Sequence, residues 1–350
     1  MREILPDIVE WLAEDETVAL ATVVETWGSS PRKAGAKMAM TPGGKIAGSV
    51  SGGCVEAAVF EAGVETLKTG RPKLLHYGVA DEDAWQVGLA CGGTIDIFVK
   101  PLEQAFFERL RGEIQANQRF AVVTVLQGPD SLLGREILVG ENGEVTEPLR
   151  DGLVEIVIEK ARQAMAERRS QRISLSPGME TTQIFIEVIN PPPTLVIVGG
   201  VHTAIALTSI AKTLGFHTVV VDPRKAFGSP ERFPHVDRLI QSWPEDAFTL
   251  IDLDKETAIA MFTHDPKIDD PALKIALNSP AFYIGALGSP QTQEKRRRRL
   301  LGEGFTTEQI DRIHGPIGIE IGSETPEEVA LAVMAEVVAA YRRSNGGSSK

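Results

Sequence analysis

The chain has 350 residues, of which 43% are hydrophobic and 24% charged, an ordinary composition for a globular protein with room for two domains. Its formal net charge of −12 argues against nucleic acid as a partner, because such binders need an excess of basic groups facing phosphates. No apolar run approaches the roughly 20 residues that span a bilayer. No membrane partner is therefore expected, and two cysteines without an apolar signal segment favour a cytoplasmic protein with free thiols.

The first half of the chain mixes predicted strands and helices without a regular alternation. A helix is predicted near residues 3–14, and residues 17–26 are rich in β-branched side chains, which favours a strand. The same criteria then predict two short strands at 36–40 and 45–50 around a hairpin turn, a helix at 55–67, a strand at 94–102, a helix at 103–116 and a strand at 119–128. These elements predict an N-terminal α+β domain over residues 1–190.

Three consecutive prolines, Pro191 to Pro193, follow this domain. Prolines cannot donate to a sheet and stiffen the backbone, so the segment is interpreted as a linker. A second domain is expected over residues 191–343. The Gly/Ser-rich tail at 344–350 is expected to be disordered.

The second half alternates strictly between strands and helices. The last helix is expected to begin after Thr325, with Pro326 at its first position. The elements before it are predicted at 194–200 (strand), 204–215 (helix), 217–222 (strand), 256–264 (strand), 271–278 (helix), 281–288 (strand) and 291–304 (a basic helix). This pattern predicts a Rossmann-like, doubly wound parallel sheet, and so an α/β protein overall.

The loop after the first of these strands, GGVHTA at 199–204, nearly matches the dinucleotide fingerprint G-x-G-x-x-G/A. Asp222 ends the next strand, where a ribose-binding acid is expected. Val201, however, stands where the fingerprint has its middle glycine, the position at which a pyrophosphate approaches the backbone. Two interpretations stay open: a domain that binds no dinucleotide tightly, and a site for NAD(P).

Other polar and glycine residues follow the ends of later strands. In a doubly wound sheet ligands bind outside these carboxyl ends, so the positions are candidates for a ligand site. His264 is also compatible with a hydrogen-bonded loop histidine, and the basic run 295–299 with a solvated helix face. The candidate cofactor-binding residues of this half are Gly199, Gly200, His202, Asp222, His264, Gly285, Gly288 and Ser289.

Each of the two cysteines lies beside a pair of glycines. Glycine fills a core poorly but allows a large polar group to approach the backbone, and a helix start adds N–H groups that favour an anion. The alternative is a buried thiol that only fills the core. The pairs are Gly52 and Gly53 before Cys54 in SVSGGCVEAAV (49–59), and Gly92 and Gly93 after Cys91 in GLACGGTIDIF (88–98).

These surroundings resemble the XdhC/CoxI group of molybdoenzyme maturation factors, the xanthine dehydrogenase accessory proteins. The resemblance is carried by GSSPRKAGAKMAMTPGGKIAGSVSGGCVEAAV and GLACGGTIDIFV in the first half. LVIVGGVHTAIAL, VVVDPR, FTHDPKIDDPAL, YIGALGSPQT and HGPIGIEIGSETPEEVALAVMAE carry it in the second. Together these motifs span most of residues 15–340 in the family's order. The chain departs from the family at Val201, where glycine is usual.

The resemblance implies a chaperone that binds the molybdenum cofactor, protects it during sulfuration and delivers it to a molybdenum hydroxylase of the xanthine dehydrogenase or CO dehydrogenase type. Cys54 would contact molybdenum or carry a transferable sulfur, with Cys91 as its counterpart. Arg32, Lys33 and Lys37 would offer charge to an anionic pterin phosphate. A cysteine desulfurase is a further implied partner, and a homodimer is left open.

An NAD(P)-linked oxidoreductase is the competing function. It rests on the Rossmann-like half and on Asp222. Val201 counts against it, and no acid/base pair for hydride transfer can be placed on the sequence. A maturation factor without turnover of its own is favoured.

Overall fold

The computed structural model describes residues 1–28, 32–78, 93–146, 154–175 and 181–344. The chain divides into two compact units, Met1–Pro191 and Pro192–Lys350. The boundary falls within the three-proline segment.

The described residues of the first unit form a five-stranded and a four-stranded sheet, both antiparallel. Sheet A has the order β3-β2-β1-β5-β4 and consists of β1 (Ala19–Trp27), β2 (Lys37–Met40), β3 (Ile46–Gly48), β4 (Lys73–Tyr77) and β5 (Thr94–Pro101). Sheet B has the order β7-β6-β9-β8 and consists of β6 (Phe120–Gln127), β7 (Glu136–Gly140), β8 (Gln171–Leu175) and β9 (Thr182–Ile189). The helices are α1 (Leu5–Ala13), α2 (Glu56–Thr69), α3 (Gln104–Gln115) and α4 (Val154–Glu167).

Helix α2 covers one face of sheet A. Val55 and Val59 are fully buried in one cluster with the alternate strand residues that point to this face, among them Met38 and Ile97. Gly63 lets the helix approach β2 closely, since a methyl group there would lie 2.1 Å from Sδ of Met40. The start of α2, and with it Cys54, is therefore anchored to the sheet.

The opposite face of sheet A carries buried lysines that pair with glutamates of sheet B. Nζ of Lys37 lies 2.8 Å from Glu187, and Nζ of Lys100 lies 2.6 Å from Glu136. All four side chains are about nine-tenths buried or more. Because burying an unpaired charge is costly, each lysine depends on its glutamate.

The second unit contains a parallel sheet, which among the described residues has six strands in the order β12-β11-β10-β13-β14-β15. Numbered along the chain this is 3-2-1-4-5-6, the Rossmann order. The strands are β10 (Thr194–Val198), β11 (His217–Val221), β12 (Arg238–Ile240), β13 (Thr257–Met261), β14 (Tyr283–Ala286) and β15 (Ile313–His314).

Helices cover both faces of this sheet. Helices α5 and α10 share one apolar cluster with the strands, whereas α6, α7 and α8 share the other. The helices of the second unit are α5 (His202–Thr213), α6 (Pro244–Phe248), α7 (Pro266–Leu277), α8 (Pro290–Gly302), α9 (Thr307–Ile310) and α10 (Pro326–Ser344). The predicted fold class is confirmed: an α+β first half is followed by a doubly wound, Rossmann-like second half.

Candidate functional site

The first candidate site is the loop at residues 49–54, called here the cysteine loop, which joins β3 to α2. Its two glycines have positive φ angles, +79° at Gly52 and +118° at Gly53, which residues with a side chain adopt only with strain. Apart from its chain neighbours, no atom of the described residues lies within 4 Å of where a Cβ of Gly53 would be. The backbone conformation, and not close packing, explains the glycine at 53. Cys54 is exposed, so the alternative of a core-filling thiol is wrong for this residue.

The cysteine loop folds around the carboxylate of Glu56, in the first turn of α2. Oε2 accepts from the N–H of Gly53 (2.8 Å) and from the hydroxyl of Ser51. Oε1 accepts from the Ser49 hydroxyl (2.7 Å) and from the N–H groups of Val50 (3.2 Å), Ser51 (2.8 Å) and Gly52 (3.0 Å). Partial burial alone would raise the pKa of Glu56, but hydrogen bonds from Ser49, Ser51 and Gly53 lower it to about 2.

The loop thus holds an anion of its own. The N–H groups of Cys54 and Val55 donate to the Ser51 hydroxyl, each at 3.0 Å, so the backbone N–H groups of residues 50–55 all have partners within this segment. A phosphate could reach them only by displacing Glu56 or Ser51. Glu56 is not among the residues predicted from the sequence, although serines and glycines just before an acid are the donors that a partly buried carboxylate needs.

The register of sheet A relates this loop to the second glycine pair. β3 ends at Gly48, opposite Met38 near the start of β2, and β5 begins at Thr94, opposite Trp27 at the end of β1. Both strand ends point the same way along the sheet, but Met38 pairs with Ala21, so Gly48 lies six residues of β1, about 20 Å, short of the level of Thr94. Across the sheet, β3 and β5 are a further three strand steps apart, about 14 Å at a strand spacing of about 4.8 Å, so the two positions are not adjacent. Gly93, buried, directly precedes β5. Cys91 and Gly92 lie outside the described residues, so their expected roles stay predictions.

Of the predicted basic residues, Lys33 is exposed, whereas Nη2 of Arg32 lies 3.0 Å from Glu3. The expectation for Lys37 is wrong. Its ammonium is buried, pairs with Glu187 and donates to Oγ1 of Thr22 at 2.9 Å. Lys37 belongs to the face of β2 that sheet B covers, so it cannot offer charge to a ligand in solvent.

Within the second unit, Gly199 and Gly200 are required by close packing. Gly199 has a φ of +109°, and a methyl group there would lie 2.6 Å from Cγ2 of Thr263. A methyl group at Gly200 would lie 2.4 Å from the carbonyl oxygen of Phe227. Arg232 donates to the Gly200 carbonyl at 3.0 Å. The segment after β11 therefore lies against the glycine loop, where a dinucleotide fold would place its pyrophosphate.

Asp222 is fully buried, and both of its carboxylate oxygens accept hydrogen bonds from the protein itself. Its Oδ2 accepts from the N–H of Gly200 (2.7 Å) and from Nη2 of Arg224 (2.7 Å), and its Oδ1 accepts from Nε and the backbone N–H of Arg224, both at 2.9 Å. Burial alone would raise the pKa of Asp222, but these hydrogen bonds lower it. The carboxylate that was expected to bind a ribose instead fastens the glycine loop to the end of β11.

The remaining candidates lie at neighbouring strand ends but in different settings. His264 is exposed, has a φ of +58° and makes no hydrogen bond to a described residue. Gly285 lies inside β14, where a methyl group would lie 2.5 Å from the hydroxyl of Tyr283; packing explains this glycine without a ligand.

Gly288 has a φ of +131°, and Ser289 caps α8 by accepting from the N–H of Thr292 at 3.3 Å. His202 begins α5 and is exposed.

The basic helix α8 is not a uniformly solvated face. Arg296 is only 2% exposed and donates to Asp269 (3.4 Å) and to the Leu287 carbonyl (3.2 Å). Asp269 in turn accepts from the hydroxyl of Thr263 at 2.5 Å, and burial raises its pKa. Arg299 forms a two-point pair with Asp270. The expectation of a solvated face is wrong for Arg296, which ties α8 to α7 below the strand ends.

A cavity of about 420 Å³ lies beside α8 and β15, and none of the predicted site residues lines it. Within the described ranges, no three His, Cys, Asp or Glu side chains converge in a way that could hold a metal ion. None of the helices in those ranges combines the length and apolar character needed to cross a bilayer.

Comparison with known families decides what the two units are. Residues 195–337 match the XdhC Rossmann domain, and residues 11–78 match the XdhC and CoxI family. The chain belongs to the XdhC and CoxI family. The family matches include the cysteine loop, Arg32 and Lys33 in the first unit and all candidate residues of the second; Cys91, Gly92 and Gly93 fall between them.

Relatives of this XdhC/CoxI chain match it over nearly its whole length. It is 29% identical to a protein of Bacillus subtilis named as a probable xanthine dehydrogenase subunit, over 95% of this chain and 96% of that protein. It is 26% identical to the "molybdenum cofactor insertion chaperone PaoD" of Escherichia coli, over 96% of this chain and 87% of that protein. A crystal structure described as a xanthine dehydrogenase from Bacillus halodurans matches with a TM-score of 0.80 and 24% identity, covering 99% of this chain and 97% of that one. The last likeness concerns the fold.

Proposed function

We propose that this chain binds the molybdenum cofactor as cargo, protects it while sulfur is installed and delivers it to a molybdenum hydroxylase. Family membership and the name of the Escherichia coli relative support a role in maturation of this cofactor. The observation that carries the proposal within this chain is an exposed thiol, Cys54, on a loop whose backbone is held by hydrogen bonds. Thiolate is a soft ligand suited to a transition metal and is also the form that carries sulfur.

The site of this activity is proposed at the end of sheet A from which the cysteine loop leaves and at which β5 begins. Gly93 is at this end, and Lys33 is the exposed basic residue near β2. The proposed partners are a molybdenum hydroxylase, of the kind named in the Bacillus subtilis relative, and a cysteine desulfurase. We place the activity in the cytoplasm, and a homodimer remains an open alternative.

The competing function, an NAD(P)-linked oxidoreductase, draws support from the 3-2-1-4-5-6 strand order. Three observations count against it. Val201 occupies the close-approach position, the Phe227 backbone lies against Gly200, and the Asp222 carboxylate is saturated by Gly200 and Arg224. We therefore favour a maturation factor without turnover of its own.

Cys54→Ser tests the proposal. The thiol is exposed, so the variant is expected to fold with an unchanged melting temperature, yet to fail in activating an apo molybdenum hydroxylase when cofactor and sulfur donor are supplied. Ala57→Ser, an exposed position on the first turn of α2, is the matched control and should activate as the unmodified chain does. Full activation by Cys54→Ser would rule out an essential thiol. If the unmodified chain retains no cofactor after gel filtration, the proposed function is wrong.

A further inference from the structure

The cysteine loop has two anchors, one on each side of Cys54. On one side, the N–H of Gly53 donates to Oε2 of Glu56 at 2.8 Å. On the other, Val55 is fully buried between α2 and sheet A. The thiol projects from a short segment that is fixed at both ends.

The first anchor depends on one carboxylate. Six hydrogen bonds converge on Glu56, from the N–H groups of residues 50–53 and from the hydroxyls of Ser49 and Ser51. Hydrogen bonds to an ionised acceptor are shorter and stronger than those between neutral groups. The depressed pKa means that Glu56 stays ionised throughout the physiological range, so the loop is closed before any ligand arrives.

The Glu56 carboxylate also supplies the negative charge and the acceptor oxygens that a bound anion would otherwise bring to this loop. Successive N–H groups around a positive-φ turn form a concave anion site, and here the occupant is part of the chain. The loop therefore needs no phosphate to take its shape. Its exposed feature is the sulfhydryl of Cys54, together with the open space over Gly53.

We propose that Glu56 is a positioning residue, which holds the Gly52–Gly53 backbone so that the Cys54 thiol is presented in one orientation to the cargo. This inference rests on the proposed function for the identity of the cargo. The holding of the loop is independent of that identity and can be measured without it.

Glu56→Gln is the sharpest test because the side chain keeps its shape. The amide oxygen can keep the donors that now reach Oε1, whereas the NH₂ group replaces Oε2 and faces the N–H of Gly53, which loses its acceptor. Glu61→Gln, an exposed position on the same helix, is the matched control. In the full-length chain we expect amide hydrogen exchange at Gly53 to accelerate at least about tenfold in Glu56→Gln, which corresponds to about 1.4 kcal/mol, and not in the control.

The second measurement is cofactor affinity in a double-mutant cycle. If Glu56 acts through Cys54, Glu56→Gln should weaken cofactor binding about tenfold in the unmodified chain and not further in the Cys54→Ser background. An equal loss in both backgrounds, or no loss in either, would overturn the positioning role. Should Glu56→Gln fail to fold, Ser49→Ala removes a single donor to Oε1 and is expected to give a smaller effect in the same direction.

The two proposals fail in distinguishable ways. An unchanged exchange rate at Gly53 in Glu56→Gln would overturn the positioning role whatever the chain binds. Absence of cofactor binding by the unmodified chain would overturn the proposed function and the cargo part of this inference, while the exchange rate would still decide whether Glu56 holds the loop.

Discussion

Several polar side chains of this protein form hydrogen bonds or ion pairs within the chain, so they stabilise its fold and are not available to a ligand. Glu56 and Asp222 are both acids at the edge of a glycine-containing loop, and each accepts hydrogen bonds from backbone N–H groups of that loop. Lys37 is buried against Glu187. Cys54 is the contrasting residue, an exposed thiol on a loop that is otherwise satisfied. At the residue scale, exposure combined with a fixed backbone marks the candidate for chemistry.

The effect of Glu56 on stability should depend on pH in a defined direction. Its pKa in the folded chain is about 2, below the ordinary glutamate value of about 4.3 expected when unfolded. A carboxyl group whose pKa is lower in the folded chain stabilises the fold fully at pH values above its unfolded pKa. This contribution is lost as the pH falls through its folded pKa. The unfolding free energies of the unmodified chain and Glu56→Gln should therefore differ by a constant amount above about pH 5, and the difference should shrink progressively as the pH falls from about 5 toward about 2.

Urea titrations at several pH values check this expectation. Glu61→Gln serves as the control and should change the unfolding free energy by less than about 0.5 kcal/mol at neutral pH. A difference for Glu56→Gln that stays constant down to about pH 3 would contradict the assigned ionisation.

At the scale of elements, the strand ends of the second unit are fastened to one another. The Gly199–Gly200 loop contacts Thr263 after β13 and Phe227 after β11. Thr263 donates to Asp269, which pairs with Arg296 of α8. Residues of the loops after β10, β11 and β13 and of the helices α7 and α8 thus form one connected network of polar and packing contacts at the carboxyl edge of the sheet, and single changes in it should be costly.

Gly200→Ala is expected to destabilise the second unit by about 1–3 kcal/mol, because the added methyl group meets a backbone carbonyl that has little room to move. Gly302→Ala, at the end of α8, should cause no loss of stability, because no described residue outside its own helix and chain neighbours comes within 4 Å of the new methyl group. Urea unfolding, followed by circular dichroism, measures both. Equal stability of the two variants would contradict the close packing at Gly200.

Arg296→Met should cost about 3–5 kcal/mol, since it leaves the buried Asp269 without its cation. Arg298→Met changes the same helix at a side chain that is 75% exposed and should stay within about 0.5 kcal/mol of the unmodified chain. The same titration compares the two. A cost as small for Arg296 as for Arg298 would restore the solvated-face interpretation.

At the scale of the whole molecule, a Rossmann-like unit follows an α+β unit that carries the exposed thiol. A Rossmann strand order is compatible with many functions, so it does not by itself establish a nucleotide site. Whether a dinucleotide can bind depends on the local geometry after β10. There the Phe227 backbone lies against Gly200, and the Asp222 carboxylate accepts from the Gly200 N–H.

NAD and NADP are therefore expected to bind weakly or not at all. Isothermal titration calorimetry of the full-length chain with each dinucleotide tests this. A dissociation constant near the micromolar range, about −8 kcal/mol, would show that Val201 and Phe227 do not obstruct the loop. Val201→Gly should strengthen any binding that exists, because it restores the close-approach position.

The sequence by itself determined the fold class and the family, whereas elements such as β4, β7 and α4 were not predicted from it. Periodicity and β-branched runs report local backbone preferences, so the α2 helix, the β2–β3 hairpin and the alternation of the second half could be predicted. The Gly-Gly pair before Cys54 is visible in the sequence and has positive φ angles in the structure, whereas the expectation that it admits a ligand stays a prediction. Only the tertiary structure decided which polar groups are available to a ligand. The partner of Lys37 lies on a strand of the other sheet, and that of Arg296 lies 27 residues away on α7. The energy of a buried charge depends on such distant partners, and no local pattern records them.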